Sequence, residues 1–140
     1  MRTGESIPGT LRLRLAGPEA IRDAIVGARQ FAAAQGIGAA DAARLAIVVE
    51  ELVTNLYEHG GIGADDPVEL ALSLAGDTVD LTITDQGAPF DPRSTPQPDM
   101  IPERGGGAGL ALVRAWATAS DYEIGEAGNR LTISLPLNRR

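Results

Sequence analysis

The chain has 140 residues and a formal net charge of −7, with no cysteine and no lysine. Acidic charge argues against direct nucleic-acid binding, because phosphate contacts require a basic surface. Without cysteine there is no disulfide, thiolate metal site or cysteine nucleophile, and without lysine there is no Walker A or protein-kinase phosphate lysine.

This length is that of one ordinary domain, and we expect residues 1–140 to form a single folding unit. No apolar run reaches the roughly 18 residues that span a membrane, and the N-terminus lacks a signal-peptide pattern. We therefore expect a cytoplasmic protein that makes no membrane contact.

The first half of the chain predicts one strand and two helices. Residues 1–9 are predicted to be an irregular lead-in, and TLRLRL at residues 10–15 alternates as a half-buried strand does. Pro18 can open a helix that runs to about Gln35. A second helix is predicted over residues 43–60.

The second half predicts a hairpin, a long connection, a helix and two further strands. Residues 85–106 show no periodicity and contain five prolines, which is typical of a lid or binding loop. The predicted strands cover residues 68–74, 79–84, 122–124 and 131–137, and the predicted helix covers residues 107–119. Hairpins separated by helices favour an α+β fold, a two-layer sandwich with a mixed, largely antiparallel sheet and helices on one face.

The second helix carries polar residues beside its apolar stripe. Glu51, Asn55 and His59 follow at intervals of four and form a row along the helix. At ~100° per residue, Asn55 and Glu51 lie near the edge of the buried face, while Glu50 and Glu58 project toward solvent. A ligand site and an ordinary polar flank both fit this pattern; His59 is interpreted as a cation at the helix end.

Two glycine-containing motifs follow. DQGAPF begins at Asp85 at the end of a predicted strand, where an acid can accept from an amino group; a plain turn is the alternative. GGGAGL at residues 105–110 opens the predicted helix, where free N–H groups suit phosphate, although a lid hinge or an N-cap fits equally. Arg104, just before it, could reach a phosphate.

These three motifs in this order resemble the GHKL (Bergerat-fold) ATPase superfamily, and within it the small anti-sigma factor serine kinases of partner-switching systems. ELVTN with His59 matches the asparagine box, DQGAPF the first glycine box and GGGAGL the second. The tail GNRLTISLPL is similar to the closing hairpin. One departure is Pro89, where many members of the superfamily have glycine.

The resemblance implies a role for each matching residue, with ATP and Mg²⁺ as cofactors. Asn55 would hold Mg²⁺ through its amide oxygen, and Glu51 would be the general base for the attacking hydroxyl or for water. Asp85 would accept from the adenine amino group. The other implied nucleotide contacts are Gly87, Gly105, Gly107, Gly109, Leu110 and Thr132.

The resemblance implies a serine/threonine protein kinase that phosphorylates a STAS-type anti-anti-sigma protein and sequesters a sigma factor or other target; a homodimer is left open. The alternative is a non-catalytic module that holds ATP and sequesters a partner. A general base at Glu51 favours the kinase, because a module that only holds ATP needs none. A sensor histidine kinase fragment is disfavoured, because the one histidine, His59, lies inside the helix.

Overall fold

The computed structural model describes residues 2–7, 9–59, 62–63, 65–86, 112–113, 115–117, 119–125 and 128–138. These residues form one sheet and two long helices, and short helical pieces lie at 112–113 and 115–116 within the predicted helix 107–119. The elements are β1 Arg2–Ile7, β2 Thr10–Leu15, α1 Ala20–Ala34, α2 Ala39–His59, β3 Val68–Ala75, β4 Thr78–Asp85, β5 Ala119–Gly125 and β6 Gly128–Pro136.

Among the described strands the sheet order is β1-β2-β3-β4-β6-β5, and every pairing is antiparallel. Helices α1 and α2 pack on each other, and α1 also packs on β2 and β3. The predicted α+β sandwich with a largely antiparallel sheet is confirmed.

The N-terminal segment corrects the sequence prediction of an irregular lead-in. Residues Arg2–Ile7 form β1, which pairs along its full length with β2. RTGESI shows no regular apolar alternation, so the segment gave no strand signal. Its pairing comes from backbone hydrogen bonds to the edge of β2, and the return between the strands includes Gly9, whose φ of 78° suits glycine.

Alternation along the strands divides the sheet into an apolar face and a polar face. Leu13 of β2, Leu70 of β3 and Ile83 of β4 pair side by side and are buried against the helices. Their neighbours in sequence on either side point away from the helices. The core is therefore one aliphatic layer between the sheet and the helix pair, as the low aromatic content predicts.

Helix α1 approaches the sheet closely because its inner face is made of small residues. Ala20, Ala24 and Ala28 are buried there together with Gly27. A Cβ atom on Gly27 would collide with Cδ1 of Leu13. The absent side chain lets the helix backbone settle onto β2.

Helix α2 is held at its first turn by a buried carboxylate. Asp41 is 6% exposed; its Oδ2 accepts from the backbone N–H of Asn138 at 2.9 Å, and its Oδ1 lies 3.3 Å from Nη2 of Arg44. With its amide oxygen turned toward Arg44, Asn138 also accepts from both guanidinium nitrogens, at 3.0 and 2.7 Å. This clasp ties the residues after β6 to the start of α2. None of the described helices is long and apolar enough to cross a membrane.

Replacing Asp41 by alanine should destabilise the fold, because it leaves the Asn138 N–H without its buried acceptor and Arg44 without its carboxylate. We expect the free energy of unfolding to fall by about 1–3 kcal/mol, measured by urea denaturation. Asp23→Ala is the control: Asp23 is also an acid in the first turn of a helix, but its ion pair with Arg22 stays within α1, whereas Asp41 also accepts from the backbone of Asn138. We expect it to cost less than about 1 kcal/mol, and an equal loss in both variants would contradict the clasp.

Candidate functional site

Helix α2 and strand β4 run in the same direction, so their C-terminal ends lie at the same end of the sandwich. Asp41 holds the start of α2 beside the end of β6, which lies opposite the start of β4. The end of α2 is joined to β3 by residues 60–67, and β3 starts beside the end of β4. Asn55, near the end of α2, and Asp85, the last residue of β4, are thereby brought to one end of the molecule.

The connection after α2 is fastened to the helix by Tyr57. Its hydroxyl donates to the carbonyl oxygen of Asp66 at 2.8 Å, and Oδ2 of Asp66 accepts from the N–H of Gly63 at 2.7 Å. Burial, and then the negative charges of Asp66 and Asp65, raise the pKa of Tyr57. The phenol stays neutral and remains a donor, which holds the end of α2 in place.

The polar row on α2 runs from half-buried to buried. Glu51 is half-buried, whereas Glu50 and Glu58 are exposed, in agreement with the helical phase taken from the sequence. Asn55 is only 8% exposed and lies beside Leu52 and Leu56, which belong to the core. The amide therefore lies inside the apolar face and not at its edge.

The Asn55 amide has an unsatisfied end. Its Nδ2 atom is buried and has no hydrogen-bond partner among the described residues. An unpaired buried amide group costs about 1–3 kcal/mol, and such groups are rare in folded proteins. Because the two ends of an amide exchange by a half-turn of the side chain, either a donor or an oxygen ligand can face this position.

This amide fits the predicted magnesium role. Mg²⁺ prefers hard oxygen ligands and is commonly bound by one or two protein groups together with substrate phosphates. Among the described residues no three His, Cys, Asp or Glu side chains group into a metal site. Asn55 could hold the ion together with a phosphate ligand.

Glu51 lies one helical turn before Asn55 and has the character of a base. Burial raises the pKa of its carboxyl above 4.5, and the negative charges of Glu50 and Glu58 raise it further. A carboxylate with a raised pKa accepts a proton more readily than an ordinary surface glutamate. Glu51 is thus suited to proton transfer next to a ligand held by Asn55.

Asp85 is buried beside a residue that the sequence reading missed. Asp85 and Asn129 are each 4% exposed; they pair across β4 and β6, and Nδ2 of Asn129 donates to Oδ1 of Asp85 at 3.3 Å. This donor orients the carboxylate. The sequence pattern predicts that Asn129 lies in the turn before the last strand. Only its spacing of two residues from the core-facing Leu131 could have indicated that its side chain points inward.

Gly128 allows β6 to start against the end of β4. Its φ is 115°, which side chains rarely adopt. A Cβ atom there would collide with the backbone oxygen of Asp85 and lie 2.7 Å from Nε2 of Gln86. A glycine is therefore required for the backbone to pass this close to the acid.

Thr132 lies on the other side of the sheet from the Asp85–Asn129 pair. Its hydroxyl is 3.4 Å from that of Thr82, and both side chains belong to the polar face. A nucleotide contact by Thr132 stays a prediction of the resemblance. On the side of the sheet that the helices cover, the β6 residue in contact with Asp85 is Asn129. We therefore include Asn129 in the site.

The remaining predicted contacts lie outside the described residues. These are the first glycine motif after Gln86, the lid, Arg104 and the second glycine motif, which comprise Gly87, Gly105, Gly107, Gly109 and Leu110. The described residues accordingly bring together Glu51 and Asn55 on α2, and Asp85 and Asn129 at the end of the sheet.

Comparison with known families matches the histidine kinase-like ATPase domain over residues 15–135. The match begins at the end of β2 and ends within β6, so it includes α2 and all four described site residues. A sequence comparison with curated proteins finds no match.

Solved structures share the fold. One is the crystal structure of the RsbU and RsbW domains of Rv1364c from Mycobacterium tuberculosis, with a TM-score of 0.67 and 24% identity over 94% of this chain and 33% of that one. Another is the blue-light activated histidine kinase EL346 of Erythrobacter litoralis, with a TM-score of 0.53 and 22% identity over 74% of this chain and 33% of that one. The chain spans about a third of the length of each protein.

A direct test separates Asn129 from Thr132 as the partner of Asp85 in a nucleotide site. Asp85→Asn and Asn129→Ala should each weaken ATP binding by about 5- to 150-fold, because a buried polar group loses its matched partner. ATP should bind more tightly than GTP to the unchanged protein, since guanine lacks an amino group at the adenine N6 position. Calorimetry measures both.

Thr132→Val is the matched control, because it removes only a hydroxyl from the opposite face of the sheet and should leave ATP affinity unchanged. Weak binding by Thr132→Val together with normal binding by Asn129→Ala would overturn the assignment of Asn129.

Proposed function

Since the chain belongs to the histidine kinase-like ATPase family, we propose that it is an ATP-binding serine/threonine protein kinase of the anti-sigma type. Its substrate is a STAS-domain anti-anti-sigma protein, and its second target is a sigma factor. The observation that carries this proposal is the juxtaposition on α2 of a carboxyl with a raised pKa, Glu51, and a buried amide with an open end, Asn55.

Asn55 would hold Mg²⁺ through its amide oxygen when the nucleotide is bound. When bound, the ion neutralises phosphate charge and withdraws electrons from the group that is transferred. The aliphatic surroundings of Asn55 keep water away and hold the side chain in one position. The free energy that the unpaired amide costs in the empty protein is recovered when it meets a ligand.

Glu51 takes the proton from the attacking hydroxyl. The row on α2 places it one turn toward the N-terminus from Asn55, on the half-buried side from which a partner serine can approach. Transfer forms an O–P bond between the serine oxygen and the γ-phosphorus and breaks the bond to the β-phosphate oxygen, with ADP as the leaving group. The serine proton passes to Oε of Glu51.

Asp85 and Asn129 recognise the base. The Asn129 amide donates to one carboxylate oxygen of Asp85, and the second oxygen accepts from the adenine amino group. Because the pair is buried, a base without that amino group leaves the carboxylate mismatched, and this penalty gives the preference for adenine.

We place the protein in the cytoplasm, where ATP and sigma factors are found, and we expect no direct contact with DNA, in line with the net charge of −7. Neither partner is identified by the described residues. The substrate is sought by incubating the protein with Mg-ATP and candidate STAS proteins and measuring the added phosphate by mass spectrometry.

Glu51→Gln separates a kinase from a module that only holds ATP. The variant keeps the size of the side chain but not its basicity, so we expect ATP affinity within about threefold of the unchanged protein and phosphoryl transfer reduced by about 100-fold or more. Glu50→Gln is the matched control on the adjacent exposed position and should retain transfer. If STAS partners are bound but never phosphorylated by the unchanged protein, the non-catalytic alternative is correct.

The rate of transfer should fall when the pH is lowered through the pKa of Glu51, because only the ionised carboxyl accepts a proton. Since that pKa is raised from 4.5, the acid limb should lie above that value. Glu50→Gln removes one of the charges that raise it and should move the limb to lower pH. A limb that does not move would show that another group titrates.

The raised pKa of Glu51 also makes the stability of the fold depend on pH. Here low pH is favourable, whereas it slows transfer. A carboxyl whose pKa is raised on folding contributes stability that is fully present below 4.5 and is lost as the pH rises through the folded-state pKa. Glu51→Gln should therefore melt at a slightly higher temperature than the unchanged protein at pH 7, and this difference should vanish below pH 4.5.

A further inference from the structure

A hydrogen bond from Tyr57 ties the last turn of α2 to the connection that follows it. The hydroxyl donates to the carbonyl oxygen of Asp66 at 2.8 Å and joins two residues nine positions apart in the chain. The side chain of Tyr57 is half-buried and packs against the hydrophobic core. Because the ring is held by packing, its hydroxyl marks a fixed point to which the connection is bound.

The segment that accepts this bond is itself held by hydrogen bonds and packing. Oδ2 of Asp66 accepts from the backbone N–H of Gly63 at 2.7 Å, and the N–H of Asp66 donates to the carbonyl oxygen of Gly63 at 3.0 Å. Ile62 packs against the core, and Val68, the first residue of β3, is fully buried. Tyr57 is therefore bound to a segment that is anchored on both sides of Asp66.

Asn55 and Tyr57 lie on opposite flanks of α2. At ~100° per residue, their side chains are about 160° apart around the helix axis, and the buried Leu56 lies between them. A ligand that meets the Asn55 amide is therefore out of reach of the Tyr57 hydroxyl. Any effect of Tyr57 on such a ligand has to pass through the helix backbone.

Burial of the Asn55 amide favours opening of the last turn of α2. Asn55 lies four residues before the end of the helix at His59, and terminal turns are the part of a helix that frays most easily. Opening would let water pair with Nδ2, which is buried without a partner among the described residues. The bond from Tyr57 to Asp66 opposes this opening, because it closes a loop over the last turn.

We propose that Tyr57 is a positioning residue for the magnesium ligand. By tying the last turn of α2 to Asp66, it keeps the Asn55 amide buried and available to a Mg²⁺–phosphate ligand. Tyr57 acts in this way only if Asn55 holds Mg²⁺, as the proposed function requires, and it does not touch the nucleotide itself. The amide is held in place before the ligand arrives, so binding does not have to order the end of the helix.

A purely structural role for Tyr57 predicts a different result. A bond that only stabilised the fold would change the free energy of unfolding but leave the affinity of the folded protein for Mg-ATP as it is. Positioning predicts a loss in the Mg²⁺-dependent part of ATP binding, because only that part passes through Asn55. Measuring ATP affinity in Mg²⁺ and in EDTA separates the two roles.

The test uses Tyr57→Phe, which removes the hydroxyl and keeps the ring. By calorimetry, we expect ATP affinity in Mg²⁺ to fall by about three- to tenfold and ATP affinity in EDTA to stay within about twofold. Hydrogen exchange of the empty protein should be faster at the backbone N–H groups of residues 56–59, because the last turn opens more often. This second readout requires neither metal nor nucleotide.

Ser134→Ala is the matched control, because it also removes one hydroxyl that donates at 2.8 Å. The acceptor is Oδ1 of Asp80, on the polar face of the sheet. We expect the control to leave both ATP affinities and the exchange of residues 56–59 unchanged.

The neighbouring acids give a second comparison that keeps Tyr57 intact. Asp66→Ala removes the acceptor of the Gly63 N–H, so the carbonyl oxygen that Tyr57 binds is held less firmly. ATP affinity in Mg²⁺ should fall in this variant, as it does in Tyr57→Phe. Asp65→Ala removes the same charge from the adjacent exposed position and should leave ATP affinity unchanged.

A double variant shows whether Tyr57 acts through Asn55. Adding Tyr57→Phe to Asn55→Ala should cause no further loss of ATP affinity in Mg²⁺, because the group that the hydroxyl positions is already absent. A further loss as large as in the single variant would overturn the proposal. So would a Tyr57→Phe protein that binds ATP in Mg²⁺ normally, or one that loses equal affinity in Mg²⁺ and in EDTA.

Failure of the proposed function gives a distinct result. If Asn55→Ala binds ATP in Mg²⁺ as tightly as the unchanged protein, the magnesium role of Asn55 is wrong and the positioning role of Tyr57 is wrong with it. If Asn55→Ala loses affinity and Tyr57→Phe does not, only the role of Tyr57 is wrong. Circular dichroism confirms that each variant is folded.

Discussion

Helix α2 packs against α1 and buries its apolar stripe in the common core, and the position of the described catalytic and metal-binding candidates follows from that packing. Leu45, Val49 and Leu52 are among its fully or almost fully buried residues. A stripe of this kind fixes the rotation of the helix, because turning it by one residue would move apolar side chains into water. Asp41 fixes its position along the axis through the residues after β6.

Because the rotation of α2 and its position along its axis are both fixed, its polar residues cannot turn away from the core. Asn55 is buried with one amide end unpaired among the described residues, and Glu51 is partly desolvated beside two other glutamates. Both conditions cost stability in the empty protein. Polar groups of this kind are found where a ligand later binds them. Their incomplete pairing in the empty protein therefore points to the site.

The two faces of the sheet have different roles. The apolar face supports the helices and carries Asp85 and Asn129 at its edge, close to the end of α2. On the polar face of the described strands the side chains are exposed or half-buried. A side-chain period of two lets one set of strands satisfy both demands, because neighbouring residues never compete for the same surface.

Patterns along the chain were enough to predict the α+β class, the phase of α2 and the hairpin of β3 and β4. These depend on local alternation and on turn residues, which are written along the chain. It did not predict β1, whose pairing rests on the backbone edge of β2 and leaves little trace in side-chain pattern.

Which polar residues meet depends on how distant strands pair in the folded protein. Asn129 is 44 residues from Asp85 in the chain, and only the register of β4 with β6 places them together. Pairing between distant segments is set by the whole sheet, and local pattern carries no record of it.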